Sequence, residues 1–132
     1  MMNQFRYLLT LLLAFVLIEV NAQQTAALPE GTIMMVKQAN AEKLSQSFNE
    51  QIEIILPSKT AVYSRKQAEM VIKDFFNQHS VTEFQLIHQG KKDNASYAIA
   101  NYHTSNGRFR FTFLTKKKSG KIYIHQIRIE RQ

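Results

Sequence analysis

The chain has 132 residues, with 17 Lys and Arg against 10 Asp and Glu, and a formal net charge of +7 at pH 7. It contains no Cys, which excludes disulfides, thiolate metal sites and attachment of a lipid to a cysteine. The basic balance suits an anionic partner without choosing among nucleic acid, lipid, glycan and acidic protein.

The N-terminus reads as a targeting segment. Arg6 supplies a positive n-region, Leu8 to Ile18 an apolar run, and Val20-Asn21-Ala22 an A-x-A-like cleavage site. The run of eleven residues is well short of the ~20 that a membrane-spanning helix needs. Residues 1–22 are therefore expected to be a signal peptide cleaved near Ala22. The mature protein is then periplasmic or secreted, with no membrane span. Export makes nucleic acid an unsuitable partner and favours an acidic envelope component. Cleavage leaves the charge at +7, because Arg6 and Glu19 cancel. Residues 23–30 form a polar lead, and residues 31–132 have the size of one domain.

Pro29-Glu30-Gly31-Thr32 opens a helix with Thr32 as its expected cap. Ile33, Val36, Asn40, Leu44 and Phe48 follow at helical spacing, with Ala39-Asn40-Ala41 as the place for a bend. Gln51 to Leu56 alternates as a strand and ends at Pro57-Ser58, and Lys59 to Tyr63 is a connection of undefined shape. Ser64-Arg65-Lys66-Gln67 is a capping box. Behind it Ala68, Val71, Ile72, Phe75 and Phe76 form the apolar stripe of a second helix.

Four antiparallel strands complete the chain. Phe84 to His88 comes first, then the polar turn Gly90 to Asn94. Asn106-Gly107 then predicts a two-residue hairpin turn that sets Tyr102 against Phe111 and Ala100 against Phe113. One face thus carries Ala98, Ala100, Tyr102, Phe109, Phe111 and Phe113, and this face is the expected core. A three-residue loop at Lys118-Ser119-Gly120 places His125 opposite Phe113 on the same face. A two-residue turn there would instead set Arg128 against Phe111 and bury a charge. The fold class is α+β: helix, strand, amphipathic helix, then a four-stranded meander curved over the helices.

This order resembles the cystatin-like, cone-shaped fold of the nuclear transport factor two superfamily, which includes ketosteroid isomerases, dehydratases and non-catalytic pocket proteins. Several pieces are more specifically similar to a family of small exported Bacteroidetes proteins with no established activity, a domain of unknown function. They are the Ala39 to Phe48 helix, Tyr63-Ser64-x-Lys66-Gln67-Ala68-Glu69, Phe75-Phe76, Phe84 to His88-x-Gly90 and Ile127-Arg128-Ile129-Glu130. That family often has glycine where this chain has Ala39, which argues against a sharp bend in the first helix.

The expected pocket is lined by Phe76, His88, Tyr102, Phe111, Phe113 and His125 and suits a small apolar ligand. Superfamily enzymes that abstract protons need an inward carboxylate or a carboxylate–His pair. Here Glu83 and Glu130 fall at strand ends and Asp74 beside the helix stripe, so no catalytic residue is assigned. The four histidines include no pair at ligand spacing, and no metal or other cofactor is expected. The opposite face gathers His103, Arg108, Arg110 and Arg128. Tyr97, Ile99, Leu114, Ile122 and Ile124 are expected to share it as an apolar band that a homodimer through the sheet would cover. The sequence therefore points first to a non-catalytic ligand-binding or interaction module of the bacterial cell envelope. An adaptor for an acidic envelope component is the alternative, and an isomerase- or dehydratase-like enzyme comes last.

Overall fold

The structure, a computed structural model, describes residues 27–132. The targeting segment 1–22 and the first half of the polar lead, residues 23–26, lie outside the described residues. Helices α1 (Thr32–Lys37) and α2 (Ala41–Ser45) precede strands β1 (Phe48–Ile55) and β2 (Thr60–Ser64). The long helix α3 (Arg65–Gln78) comes next. It leads into β3 (Glu83–Lys92), β4 (Ala95–Thr104), β5 (Gly107–Lys118) and β6 (Lys121–Arg131). One sheet has the order β2-β1-β6-β5-β4-β3, with β1 parallel to β6 and every other pair antiparallel.

The α+β class and the meander match the expectation, and the sheet is larger than expected. The connection at Lys59 to Tyr63 is itself a strand, folded back on β1 by a Leu56 N–H bond to the Lys59 carbonyl at 2.8 Å. The first helix is two helices. Ala39 sits between them at φ 52, a left-handed conformation that costs a non-glycine residue about 1–2 kcal/mol. The Asn40 side chain offsets much of that by accepting the Lys43 N–H at 3.0 Å as the cap of α2, worth about 1 kcal/mol. Burial of Ala41 and Leu44 adds to it. Gly31, rather than Thr32, holds the cap position of α1. Thr32 is buried instead and donates to the Pro29 carbonyl at 2.6 Å.

The capping box at α3 forms as read. Ser64 Oγ accepts from the Gln67 N–H, and the Gln67 side chain accepts from the Ser64 N–H, each at 3.2 Å. Ala68, Ile72, Phe75 and Phe76 of α3 are buried against the sheet.

Both long hairpins reach their registers by routes the turn rules alone did not give. β4 and β5 turn over Ser105-Asn106, pairing Tyr102 with Phe109 and Ala100 with Phe111. The Thr104 hydroxyl holds this turn, accepting the Asn106 N–H at 3.3 Å and donating to the Gly107 carbonyl at 3.0 Å. The shift from the expected pairing is two residues. An even shift leaves the faces unchanged, so the inward set is the one predicted. β5 and β6 turn over two residues, Ser119 at φ 53 and Gly120 at φ 79, the positive-φ pair of a type I′ turn. The clash expected of that turn is removed by a bulge. Thr115 pairs with Ile124 but Leu114 with Gln126, so His125 is an extra residue and Phe111 meets Ile129.

Candidate functional site

The inner face of the sheet is built of rings on rings. Tyr102 and Phe111 stack with centroids 4.9 Å apart and 12° between planes, and Phe76 lies parallel to Tyr102 at 6.2 Å. Phe84 meets Phe111 edge-on at 5.7 Å, and Phe75 meets Phe109 at 5.2 Å. Ala98 and Ala100 stand opposite Phe113 and Phe111, giving the rings room. Tyr102 is fully buried, and its hydroxyl donates to the His79 carbonyl at the end of α3. Burial raises the Tyr102 pKa far above the ordinary phenol range, so the group stays protonated as a structural donor. Phe76, Tyr102, Phe111 and Phe113 are thus brought together as expected, in contact with one another and buried.

His88 and His125 are not brought to them, and both were expected inward. A β-bulge displaces each. In β3 the register slips between Leu86 and His88, leaving Ile87 as the extra residue, and His88 turns to the outer face opposite Ile99. There its Nε2 lies 2.9 Å from the Tyr97 hydroxyl. The Tyr97 ring covers Gly90, where an added Cβ would lie 2.5 Å from Cε1. In β6 the slip at His125 does the same. It also reverses the residues before it, so Ile124 is fully buried on the inner side and Ile122 shares that face, not the outer band.

The expected basic cluster is partly divided among its own partners. Arg128 Nη1 lies 3.4 Å from Glu130, and Arg110 Nη2 donates to Gln132 at 3.3 Å while its buried Nε has no partner among the described residues. Arg110 pairs with Glu130 and Arg128 with Thr112, so the two arginines are diagonal rather than side by side. His103 stands between Glu83 and Arg108.

A different part of the outer face opens instead, and His125 is its centre. On the β5 side Thr115 and Leu114 pair with Ile124 and Gln126 and pass over His125. On the other side Phe48 pairs with Ile124 and Glu53 with Gln126, so β1 residues 49–52 stand against His125 alone. Both ladders of β6 therefore break at one residue, and over that break lies a groove of about 530 Å³. Asn49, Gln51 and Glu53 of β1 form one wall, Lys116, Lys117 and Lys118 of β5 the other, with Tyr123 and His125 between and Val62 at the rim. An adjoining hollow of about 200 Å³ shares Asn49, Lys118 and Tyr123 and adds Arg65. The Glu53 Oε1 is occupied, accepting from Gln126 Nε2 at 2.6 Å. Burial and the nearby Lys116 ammonium push the His125 imidazole below its ordinary pKa, and the Glu53 carboxylate opposes them. A separate open cleft of about 440 Å³ lies between α3 and the β1–β2 turn, lined by Leu56, Tyr63, Met70, Val71 and Phe75, with Asp74 at its edge. Among the described residues no three His, Asp or Glu side chains cluster so as to hold a metal ion.

Residues 30–130 match the model of a domain of unknown function, DUF4783. The chain belongs to this family. Its structure is similar to that of a DUF4783 protein from Bacteroides uniformis at 33% identity and a TM-score of 0.75, covering 80% of this chain and 97% of that one. A second, from Bacteroides ovatus, has 29% identity and a TM-score of 0.76, covering 80% and 96%. An NTF-2-like protein of unknown function from Silicibacter pomeroyi, 10% identical with a TM-score of 0.57 over 78% of this chain and 88% of that one, shares the fold. No curated protein matches. The DUF4783 chain is thus a nuclear transport factor two-like α+β fold.

Tyr123 and the β1 residues of the groove were not identified from sequence as a site. A signal for the bulge was nonetheless present. Ile122 and Ile124 alternate, as do Ile127 and Ile129, and the gap of three between Ile124 and Ile127 marks one extra residue at His125-Gln126. In β3 no such mark exists, because Gln89, which faces inward beyond the bulge, is polar.

Proposed function

We propose that this DUF4783 protein is a non-catalytic binding module of the bacterial cell envelope, and that it takes its ligand on the outer face of the sheet. One observation carries the reading: both ladders of β6 break at His125 beneath a groove of about 530 Å³, a volume in the range of small-molecule sites. Bulges re-aim side chains at the cost of ladder bonds, and they concentrate beside binding sites. The expected inner pocket is less favoured, because Phe76, Tyr102, Phe111 and Phe113 occupy one another's space. Export through the segment 1–22 supplies the envelope setting.

The test is two-dimensional amide NMR of residues 23–132, titrated with the small-molecule fraction of an envelope extract. Shifts concentrated at Gln51, Glu53, Tyr123 and His125 are expected. Shifts centred on Tyr102 and Phe111, or on Met70 and Phe75, would move the site elsewhere. Fractionation of cells expressing the full chain, with residues 1–22 missing from the mature mass, checks the compartment.

A homodimer through the same face is a second reading, supported by Tyr97, Ile99 and Leu114 standing together, half-buried, on neighbouring strands. Sedimentation equilibrium would show a dimer that Leu114→Lys dissociates.

A further inference from the structure

Resting on that reading, we propose that the groove over His125 is an oxyanion site, which takes a small ligand through its carboxylate or phosphate oxygens. Two cations on the outward-facing positions of β5, Lys116 and Lys118, line one wall, while Lys117 between them pairs with Ile122 and faces the inner side. Arg65 stands in the adjoining hollow with Lys118. The carboxylates opposite are fewer. Glu50 lines the hollow, and Glu53 is engaged by Gln126 at 2.6 Å, which reduces its repulsion of an incoming anion.

The neutral groups are donors as well. Tyr123 and Gln51 line the same space and carry a hydroxyl and an amide donor, and the His125 imidazole can donate from a ring nitrogen. Val62, 60% exposed, gives the rim an apolar contact for the body of the ligand. The arginines across the sheet differ in this respect: Arg128 already has Glu130, and Arg110 has Gln132. Among the described residues Lys116 and Lys118 make no salt bridge, and they stand beside the residue at which both ladders of β6 break.

Protonation of His125 would add a third cation facing the ligand. The groups that face it are Lys116 and Lys118 from β5, Asn49, Gln51 and Glu53 from β1, Val62 from β2, and Tyr123 beside it. Glu53 is the one carboxylate among them. Oxyanion binding should consequently tighten as the pH falls, a dependence that surface lysines alone would not produce between pH 5 and 8.

The experiment is NMR titration of residues 23–132 with four probes. These are inorganic sulfate (whose charge is constant over that pH range), inorganic phosphate, malonate, and vesicles of phosphatidylglycerol in phosphatidylcholine. Saturable shifts at Lys116, Tyr123 and His125 are expected with the free anions, and whichever of malonate and phosphate binds tighter names the ligand's group. Lys116→Gln should weaken binding about two- to fivefold, the range of one exposed ion pair. His125→Gln should abolish the pH dependence with sulfate, while Arg108→Ala changes neither. An unchanged melting temperature at about pH 8, above the range in which an imidazole titrates, shows that each variant is folded.

Shifts spread over Arg108, Arg110 and Lys121 without saturation would overturn the site, as would binding to vesicles alone. If the anions fail while the envelope extract still shifts the groove amides, the oxyanion chemistry is wrong and the binding reading stands. If neither shifts them, both fall.

Discussion

The two faces of this sheet are made from the same strands and stabilised in opposite ways. On the inner face, Phe109, Phe111, Phe113 and Tyr102 are each no more than 1% exposed, and their one polar group, the Tyr102 hydroxyl, is bonded to the His79 carbonyl. On the outer face the side chains are half-exposed, His88 and His125 have been turned there by bulges, and Arg110 keeps a buried nitrogen without a partner among the described residues. Close packing leaves an interior little freedom to accept a ligand. The outer face retains that freedom where β6 loses its register. The difference gives stability to one side, and on the reading proposed above it leaves recognition to the other.

The sharpest way to break this assignment is to truncate a ring. Phe111→Ala removes the ring that stacks on Tyr102 and meets Phe84. It should destabilise the protein by about 3–5 kcal/mol, measured by urea unfolding. Folded Phe111→Ala protein should bind groove ligands as the wild type does. A gain of affinity for small apolar molecules without loss of stability would show that the interior is a working pocket.

Tyr102→Phe is the finer cut on the same face. It removes the hydroxyl and leaves the His79 carbonyl without its donor, a loss of about 1–3 kcal/mol. An unchanged urea midpoint would mean that water replaces the donor and that the inner face is wetter than its burial indicates.

On the helical side the sign reverses. Ala39 at φ 52 is strained where glycine is not, and its side chain is exposed. Ala39→Gly should raise stability by roughly 0.5–1 kcal/mol, read as a higher melting temperature. A loss would mean that the chain entropy of glycine outweighs the relief of strain.

These sites also show what could be read from residues alone. The inward set of β4 and β5 was legible because side chains alternate strictly, and an error of two residues in the turn does not change a face. The capping box and stripe of α3 were legible because they are local. The two histidines were misplaced because each lies at or just beyond a single inserted residue, and strict alternation carries that error along one side of it, past His88 in β3 and before His125 in β6. The groove depends further on β1 lying parallel beside β6, a contact between residues some 75 positions apart that no local pattern encodes. The break of the first helix was hidden by Ala39, whose strain is offset by the Asn40 cap and by packing.

Gly90→Ala tests the far end of the outer face. The new methyl would meet the Tyr97 ring, which is half-exposed and can swing away. The expected cost is about 1 kcal/mol, with loss of the Tyr97 to His88 contact and no effect on groove ligands. Weakened groove binding would mean that the outer face acts as one surface rather than as separate patches.

The smallest effect is the most specific. The folded protein holds the His125 pKa below its ordinary value, through burial first and Lys116 second. The unfolded chain takes up that proton near pH 6.5. Below this pH the unfolded state binds more protons than the folded state, so stability declines as the pH falls and levels off beneath the folded pKa. His125→Gln should flatten the decline in that window and leave the rest of the pH profile unchanged, including the acid limb where Glu69, held low by Lys66, loses its charge. An oxyanion in the groove should act in the opposite direction. It favours the imidazolium, so the His125 ring resonance should titrate at a higher pH in saturating sulfate than in its absence. A His125 that titrates at the same pH with and without the anion would place the ligand somewhere other than the break in the sheet.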